Sequence, residues 1–247
     1  MATHLELSSA TALVTGAGSG IGKAITQALL REGVRVVACD RDAERLEALT
    51  QEHSEVLPWV LDVTDPAAIN ELPGALPLSH QQIDILVNSA GHDIGGRRAF
   101  VAGEAEKYAA IIQTNVVGLI SMTLACATGM AARGLGHIIN LGSTAGLRPE
   151  AMTSTYTASK HAVHGFSDCL RKDFVGTGVR VTELNPGRVR TNFGYARATT
   201  REEADQHYDA VGICLSPDDV ANAVIYALRQ PAHVVVAQMV IMPADQA

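Results

Sequence analysis

The sequence is short of charge, of aromatic residues and of any basic run. Only 18% of its 247 residues are charged and 4% are aromatic. The net charge is −7, from 19 basic against 26 acidic side chains, so there is no cationic footprint for nucleic acid or an anionic membrane surface. Apolar runs are broken by glycine or polar residues before they reach the length of a membrane span, so no membrane segment is expected. The opening residues MATHLELSSA lack a basic region followed by an apolar core. No secretory signal is read there, and a cytoplasmic location is expected. The four cysteines, Cys39, Cys126, Cys169 and Cys214, have no paired spacing. That argues against a disulfide frame or a zinc site and for small buried hydrophobes in a reducing compartment.

What the chain does have is apolar content, 47%, arranged in alternating short and long periodic segments. Short β-type runs fall at Thr11–Thr15, Arg35–Cys39, Val56–Leu61, Ile83–Val87, His137–Leu141, Val179–Leu184 and Val234–Met242. Helical spacing begins at Ile21 and recurs over Ala43–His53, Glu104–Arg133, Tyr156–Val175 and Pro217–Arg229, the last opened by Ser-Pro-Asp-Asp. Residues 66–82 contain Pro73, Gly74 and Pro77, so a helix there is expected to be short or broken. Strand–helix alternation from end to end predicts an α/β fold: a doubly wound parallel seven-stranded sheet of the Rossmann type, with helices on both faces. No linker, repeat or low-complexity tract divides the chain, so residues 1–247 are read as one domain. Residues 188–216 have little periodicity and are read as a lid over the substrate.

In such a sheet, ligands bind at the carboxyl ends of the strands. The first turn at that edge is TGAGSGIG, Thr15–Gly22. It does not satisfy G-x-G-x-x-G but does satisfy T-G-x-x-x-G-I-G. Gly16 lets the chain turn, and Gly20 and Gly22 let backbone approach a pyrophosphate at a helix N-terminus. Asp40 ends the second strand, where a carboxylate accepts hydrogen bonds from ribose hydroxyls and repels a 2′-phosphate. NAD is therefore favoured. NADP stays open, because the Arg41 guanidinium beside it suits a 2′-phosphate; both residues also fit a solvated loop. Asp62, after the third strand, fits either an adenine contact or a turn cap.

Ser143, Tyr156 and Lys160 lie in GSTAGLRPEAMTSTYTASK, residues 142–160. Tyr156 and Lys160 at i, i+4 share one helix face. A cation beside a phenol favours the phenolate and lowers its pKa, which makes a proton donor and acceptor. A Ser hydroxyl in reach holds a carbonyl or alcohol oxygen.

With these pieces in order, the chain closely resembles the classical short-chain dehydrogenase/reductase family over nearly its whole length. TGAGSGIG corresponds to that family's cofactor turn (Gly16, Ser19, Gly20, Ile21, Gly22), LDV to its adenine-contacting segment (Asp62, Val63), and NSAG to its N-x-A-G motif (Asn88, Ala90, Gly91). TNVVG carries the active-site Asn at Asn115, INLGSTAG the Ser at Ser143, and YTASK the Tyr156–Lys160 pair. PGRVRT corresponds to the nicotinamide segment, with Pro186, Gly187, Val189 and Thr191. The resemblance implies that Tyr156 exchanges a proton with the substrate oxygen. It implies that Lys160 lowers the Tyr156 pKa and bonds the nicotinamide ribose. Ser143 would orient the substrate, and Asn115 would hold a water linking Lys160 to solvent. The expected activity is hydride transfer between a secondary alcohol, including hydroxy acids and other anionic alcohols, and its carbonyl. A dinucleotide-binding regulator without turnover and a non-redox epimerase or lyase of the same superfamily are the rivals. Asn88-Ser89 in place of Asn-Asn is expected to affect sheet support more than chemistry.

The substrate side is expected to be walled by residues 92–98, 144–155 and 188–216. Arg97, Arg98, Arg148, Arg188 and Arg190 lie in or near them, and Arg148 and Arg188 are the favoured contacts for an anionic substrate group. Each also fits a solvent-facing loop. His161 and His164 lack a third ligand at suitable spacing and are read as structural; no metal is expected. Apolar residues on more than one face of 104–133 and 156–175, among them Ala158, Val163, Phe166 and Leu170, point to subunit contacts. The resemblance implies a homotetramer or homodimer.

Overall fold

A computed structural model describes residues 5–197, 200, 202, 206, 210 and 212–246. Seven parallel strands form one sheet in the order β3-β2-β1-β4-β5-β6-β7. They are β1 Thr11–Thr15, β2 Arg35–Asp40, β3 Leu57–Val60, β4 Ile85–Asn88, β5 Gly136–Leu141, β6 Val179–Pro186 and β7 Gln238–Ile241. The order reverses between β1 and β4, so the crevice of a doubly wound sheet opens where those two strands end.

Strand side chains alternate between two cores, as the two-residue period requires. Ala12, Val14, Val36 and Ala38 join one core with Ile25 and Leu29 of α1 (Gly20–Arg31). Val220 and Val224 of the helix Pro217–Leu228 pack there too. Leu13, Val37 and Cys39 face the other core, with Ile69 and Leu72 of α3 (Pro66–Ala75) and Met122 and Met130 of α5 (Leu119–Arg133). Burial on both faces explains why the central strands read as continuous apolar runs rather than alternating ones.

Three expectations change. α3 runs ten residues through Pro73. Asp65 caps it by accepting from the amides of Ala67 and Ala68, and Pro73 falls in its last turn, where little of the helical ladder remains to be lost. The final strand pairs only over Gln238–Ile241, because the Arg180 guanidinium takes the Gln230 and Val234 carbonyls. Finally, Ala105–Arg133 is long and apolar enough by length and composition to cross a membrane, contrary to the expectation that every run falls short. Here it packs on the sheet through Ile111, Met122, Cys126 and Met130. It is α4 (Ala105–Ile112) and α5 joined by one π-type turn, Gln113–Gly118.

Among the described residues are also α2 (Ala43–Glu52), α6 (Ser154–Asp173), α7 (Asn192–Arg197) and α8 (Pro217–Leu228). α8 opens on a capping box between Ser216 and Asp219. Part of the 188–216 segment expected to act as a lid lies outside the described residues.

Candidate active site

The glycine turn is built for close backbone approach. Gly16 has φ +66, and a Cβ on it would lie 3.0 Å from the Ala90 Cα. A Cβ on Gly22 would lie 2.1 Å from the Gly16 carbonyl oxygen, so any side chain there breaks the turn. Thr15 Oγ1 accepts from the amides of Ser89 and Ala90, both at 3.0 Å, and so ties the NSAG segment to the turn. Ser19 is the N-cap of α1 but makes no side-chain cap bond, so the helix presents first-turn N–H groups suited to a pyrophosphate. Gly20 faces Thr191, with 3.5 Å between a notional Cβ and the Thr191 Cβ. Turns after β1, β4 and β6 therefore meet at one edge, and the described residues fit a dinucleotide.

Asp40 ends β2 beside this turn. Its Oδ2 accepts from the Gly18 amide at 2.9 Å and its Oδ1 from the Asp42 amide at 3.0 Å. Asp62 caps its own turn: Oδ1 accepts from the Thr64 amide and hydroxyl, both at 2.8 Å. Ile21 packs partly buried on the core, and Val63 is nearly buried against Gly118 of the π turn. Pro186 ends β6 beside Ile241, the Gly187 amide donates to the Ile241 carbonyl, and Val189 bridges Leu215.

The Asn88 side chain does not face the crevice. It is buried, and its Nδ2 donates to Thr123 Oγ1 and Asn140 Oδ1, both at 2.9 Å. Asn140 in turn donates to Ser167 Oγ at 2.9 Å. This chain joins α5, β4, β5 and α6, which is the sheet-support role expected for that motif. Asn88→Ala strands two buried acceptors. Unfolding titrations should show a loss of about 2–6 kcal/mol, from about 1–3 kcal/mol for each of the two unsatisfied buried groups. A loss under about 0.5 kcal/mol would contradict the role.

Asn115 sits in the π turn, 1% exposed. Its Oδ1 accepts from the His92 amide and its Nδ2 donates to the His92 carbonyl, both at 2.9 Å, and to Ser159 Oγ at 3.1 Å. Gly91 leaves room for it: a Cβ there would come within 3.1 Å of Asn115 Oδ1. The π turn thus aims one amide at the loop after β4 and at α6 together, a placement that regular helical spacing would not reveal.

Ser143 follows β5. Its amide donates to Asn185 Oδ1 at 2.8 Å, and its Oγ accepts from the Ala145 amide at 3.1 Å. Gly142 is required there, since a Cβ would lie 2.1 Å from Asn185 Oδ1. Asn185 looks in the sequence like part of a simple Asn-Pro-Gly turn; only its position across β5 and β6 reveals its hold on Ser143.

α6 carries Tyr156 and Lys160 on one face. Lys160 is 7% exposed; its Nζ donates to the Leu141 carbonyl at 2.7 Å and lies 5.8 Å from the Tyr156 ring centroid. Burial pulls its pKa down to about 8, with the buried Glu183 carboxylate opposing. The lowered Tyr156 pKa expected from Lys160 is absent. Desolvation raises it, a hydrogen bond from Ser143 and the Arg197 charge offset part of that, and Asp93 adds to it. The physical reason is burial of the phenol, which is walled by Phe193 and Arg197.

Glu183 is fully buried on β6 and accepts from Gln238 Nε2 at 3.1 Å, with His164 Nδ1 at 2.7 Å from the same oxygen. His164 is thereby a structural partner, as expected. Among the described residues no cluster of three metal-ligating side chains occurs.

The cleft beside Tyr156 is lined by Asp93, Ile94, Gly96, Arg98, Met152 and Thr153, among others. Neither Arg148, which is exposed, nor Arg188, whose guanidinium pairs with Asp245 at 2.6 Å, is in that lining. Arg97 pairs with Glu150 at 2.6 Å. Arg197 of α7 is outside that lining as well, but its Cζ lies 5.7 Å from the Tyr156 ring centroid, with Lys160 Nζ at 5.8 Å from the same point. Nothing in the local sequence marks it, because α7 is short and its register against Tyr156 is set by the turn after β6.

Comparison with known proteins agrees with this arrangement. Residues 10–202 match the family model for short chain dehydrogenase. The NADP-dependent 3-hydroxy acid dehydrogenase YdfG of Escherichia coli (strain K12) is 42% identical over 237 residues, 95% of each chain. That of Salmonella typhi is 43% identical over the same span and coverage. Among solved structures, the closed form of serine dehydrogenase complexed with NADP+ superposes with a TM-score of 0.92, at 40% identity and 96% coverage of both chains. A metagenomic short-chain oxidoreductase in complex with NADP gives 0.81 at 30% identity, covering 97% of this chain and all of that one. With the glycine turn, the Ser143–Tyr156–Lys160 set and the seven-stranded sheet all in place, the chain belongs to the classical short-chain dehydrogenase/reductase family of nucleotide-dependent oxidoreductases.

Proposed function

We propose that the chain interconverts a hydroxy acid and the corresponding oxo acid, with NAD(H) preferred to NADP(H). The observation that carries the reaction is the convergence of Ser143, Tyr156 and Lys160 beside the glycine turn. When bound, the nicotinamide coenzyme accepts or supplies the hydride. In oxidation, Tyr156 Oη takes the hydroxyl proton as the carbonyl forms; in reduction it returns that proton to the substrate oxygen. Ser143 Oγ holds the same oxygen. Lys160 supplies a buried positive charge beside the phenol and hydrogen bonds for the nicotinamide ribose. Asn115 fixes the His92 peptide and holds the water through which Lys160 exchanges protons with solvent. The hydroxy-acid substrate is favoured by the relatives' activity, 3-hydroxy acid dehydrogenase.

The coenzyme preference rests on Asp40. Its carboxylate is held by two backbone amides at the end of β2, where a 2′-phosphate would meet a negative charge. The named relatives are NADP-dependent, which makes this the sharpest point of difference to test. Rates with NAD+ and NADP+ in parallel, followed by reduced-nicotinamide absorbance, should favour NAD+ in kcat/KM by ~10-fold or more, the equivalent of about 1.4 kcal/mol. Asp40→Ser should narrow that gap. A wild-type preference for NADP+ would overturn the coenzyme assignment and leave the reaction class standing.

Self-association is part of the same reading. Ile112, Val117, Ile120 and Leu124 are exposed along α4–α5, from 36% to 69%, and Ala158 is exposed on α6. A second copy covering these helices accounts for that apolar surface.

A further inference from the structure

Arg197 does more than pack. Its guanidinium lies over two rings at once, 5.7 Å from the Tyr156 centroid and 5.4 Å from that of Phe193. It also meets Asp93 of the loop after β4, with Nη2 and Oδ2 2.7 Å apart. The Asp93 side chain is only 4% exposed, against 26% for Arg197. The guanidinium holds the Asp93 carboxyl down against the upward push of burial, and Arg197 Nε is buried with no acceptor. The contact between the two loops is close, since Gly96 has φ +62 and a Cβ on it would lie 2.4 Å from the Arg197 carbonyl oxygen. Arg197 is therefore clamped from the backbone side while its guanidinium keeps unspent donor capacity next to the phenol.

We propose that Arg197 is the anchor for the substrate carboxylate, and that Asp93 holds its guanidinium over Tyr156 until that carboxylate arrives. The proposal rests on the hydroxy-acid reading above and names the residue that enforces it. A 3-hydroxy acid carries its carboxylate one methylene from the carbinol carbon. The guanidinium, 5.7 Å from the Tyr156 ring centroid, is near enough to the phenol to meet a group one methylene from the carbinol carbon. A guanidinium fork accepts a planar carboxylate on two adjacent N–H groups, and Nε with one terminal nitrogen is such a pair. Asp93 stands in for that carboxylate imperfectly, because a main-chain-tethered side chain does not reach both donors. Arg148 and Arg188, favoured from the sequence, are replaced in this role.

The test is steady-state kinetics with a 3-hydroxy acid and its methyl ester, at saturating NAD+, for the wild type, Arg197→Gln, Arg197→Lys and Asp93→Asn. Arg197→Gln should lower kcat/KM for the acid by ~10- to 100-fold, the range for a hydrogen bond to a charged group, while changing the ester less than ~3-fold. Arg197→Lys should recover part of the acid activity, since it keeps the charge and loses the fork. Asp93→Asn should lower KM for the acid by removing a competitor. Titration calorimetry of butyrate against butyramide, in the presence of NAD+, gives a readout independent of turnover: butyrate binding should weaken in Arg197→Gln and butyramide binding should not. Equal losses on acid and ester would overturn the proposal and reduce Arg197 to a packing partner of Tyr156. A wild type that oxidises only neutral alcohols in a Tyr156-dependent manner would instead overturn the hydroxy-acid reading. The melting temperature of each variant separates both outcomes from misfolding, and Arg197→Lys keeps the test open should Arg197→Gln fail to fold.

Discussion

Tyr156→Phe should lower kcat by ~10³-fold or more while NAD+ still binds, because it removes the one proton donor and acceptor at the reacting oxygen and nothing else. General acid–base catalysis contributes ~10²–10⁴-fold. Phe keeps the ring against Phe193 and under Arg197, so the walls of the cleft survive. Burial raises the Tyr156 pKa in the coenzyme-free protein, so the phenol holds its proton across the neutral range. The sign for catalysis follows. Reduction uses the protonated phenol and should decline as pH rises through its pKa; oxidation uses the phenolate and should climb over the same interval. Both limbs should vanish in Tyr156→Phe. A variant retaining a tenth of wild-type turnover would show that another group carries the proton.

Replacing Lys160 by Met should cost activity and gain stability. The ammonium is 7% exposed, and burial pulls its pKa to about 8 from the ordinary 10.5. In that window the unfolded chain binds more protons than the folded one, so stability rises with pH between about 8 and 10.5. Below about 8 the folded protein carries the whole penalty of a buried charge, about 3 kcal/mol at 1.36 kcal/mol per pH unit. Met removes that penalty, which already nets out the attraction to Glu183, and also removes the hydrogen bond to the Leu141 carbonyl, which returns about 1–2 kcal/mol of it. Lys160→Met is thus expected to be about 1–2 kcal/mol more stable at pH 7 and to lose the rise in stability between about 8 and 10.5. Its kcat/KM should fall by ~10²-fold or more. Unfolding midpoints measured from pH 7 to 11 would decide it. An unchanged pH slope in the variant would mean that another buried group titrates there. Catalytic lysines held against desolvation illustrate stability given up at a working site.

Much of this site is legible in the sequence because each motif is local. A strand, TGAGSGIG and a helix start leave few options for backbone that must turn tightly and approach a phosphate, and a Cβ at Gly22 would meet the Gly16 carbonyl oxygen at 2.1 Å. Tyr156 and Lys160 share a face by helix geometry alone. The less legible parts are those where the partner is distant in the chain. Asp62 suits both adenine and its own turn by sequence, and only the fold shows Thr64 bonded to its Oδ1. Asn88 lies in a motif assigned to the cofactor, yet its buried Nδ2 donates to Thr123 and Asn140. The Tyr156 pKa was expected to fall beside Lys160, and desolvation reverses that direction. Sequence spacing conveys neighbours but not burial, and burial decides the sign.

By itself the sequence determined the α/β alternation, the parallel sheet, the glycine turn and the Ser143–Tyr156–Lys160 set, because all of these follow from periodicity and from steric rules that act within a few residues. The tertiary structure alone decided which arginine faces the phenol. Arg148, Arg188 and Arg197 are chemically alike in the sequence. Only the turn after β6, which swings α7 over Tyr156 and against Asp93, distinguishes the third, because a guanidinium's role depends on the charge and rings it meets across the fold.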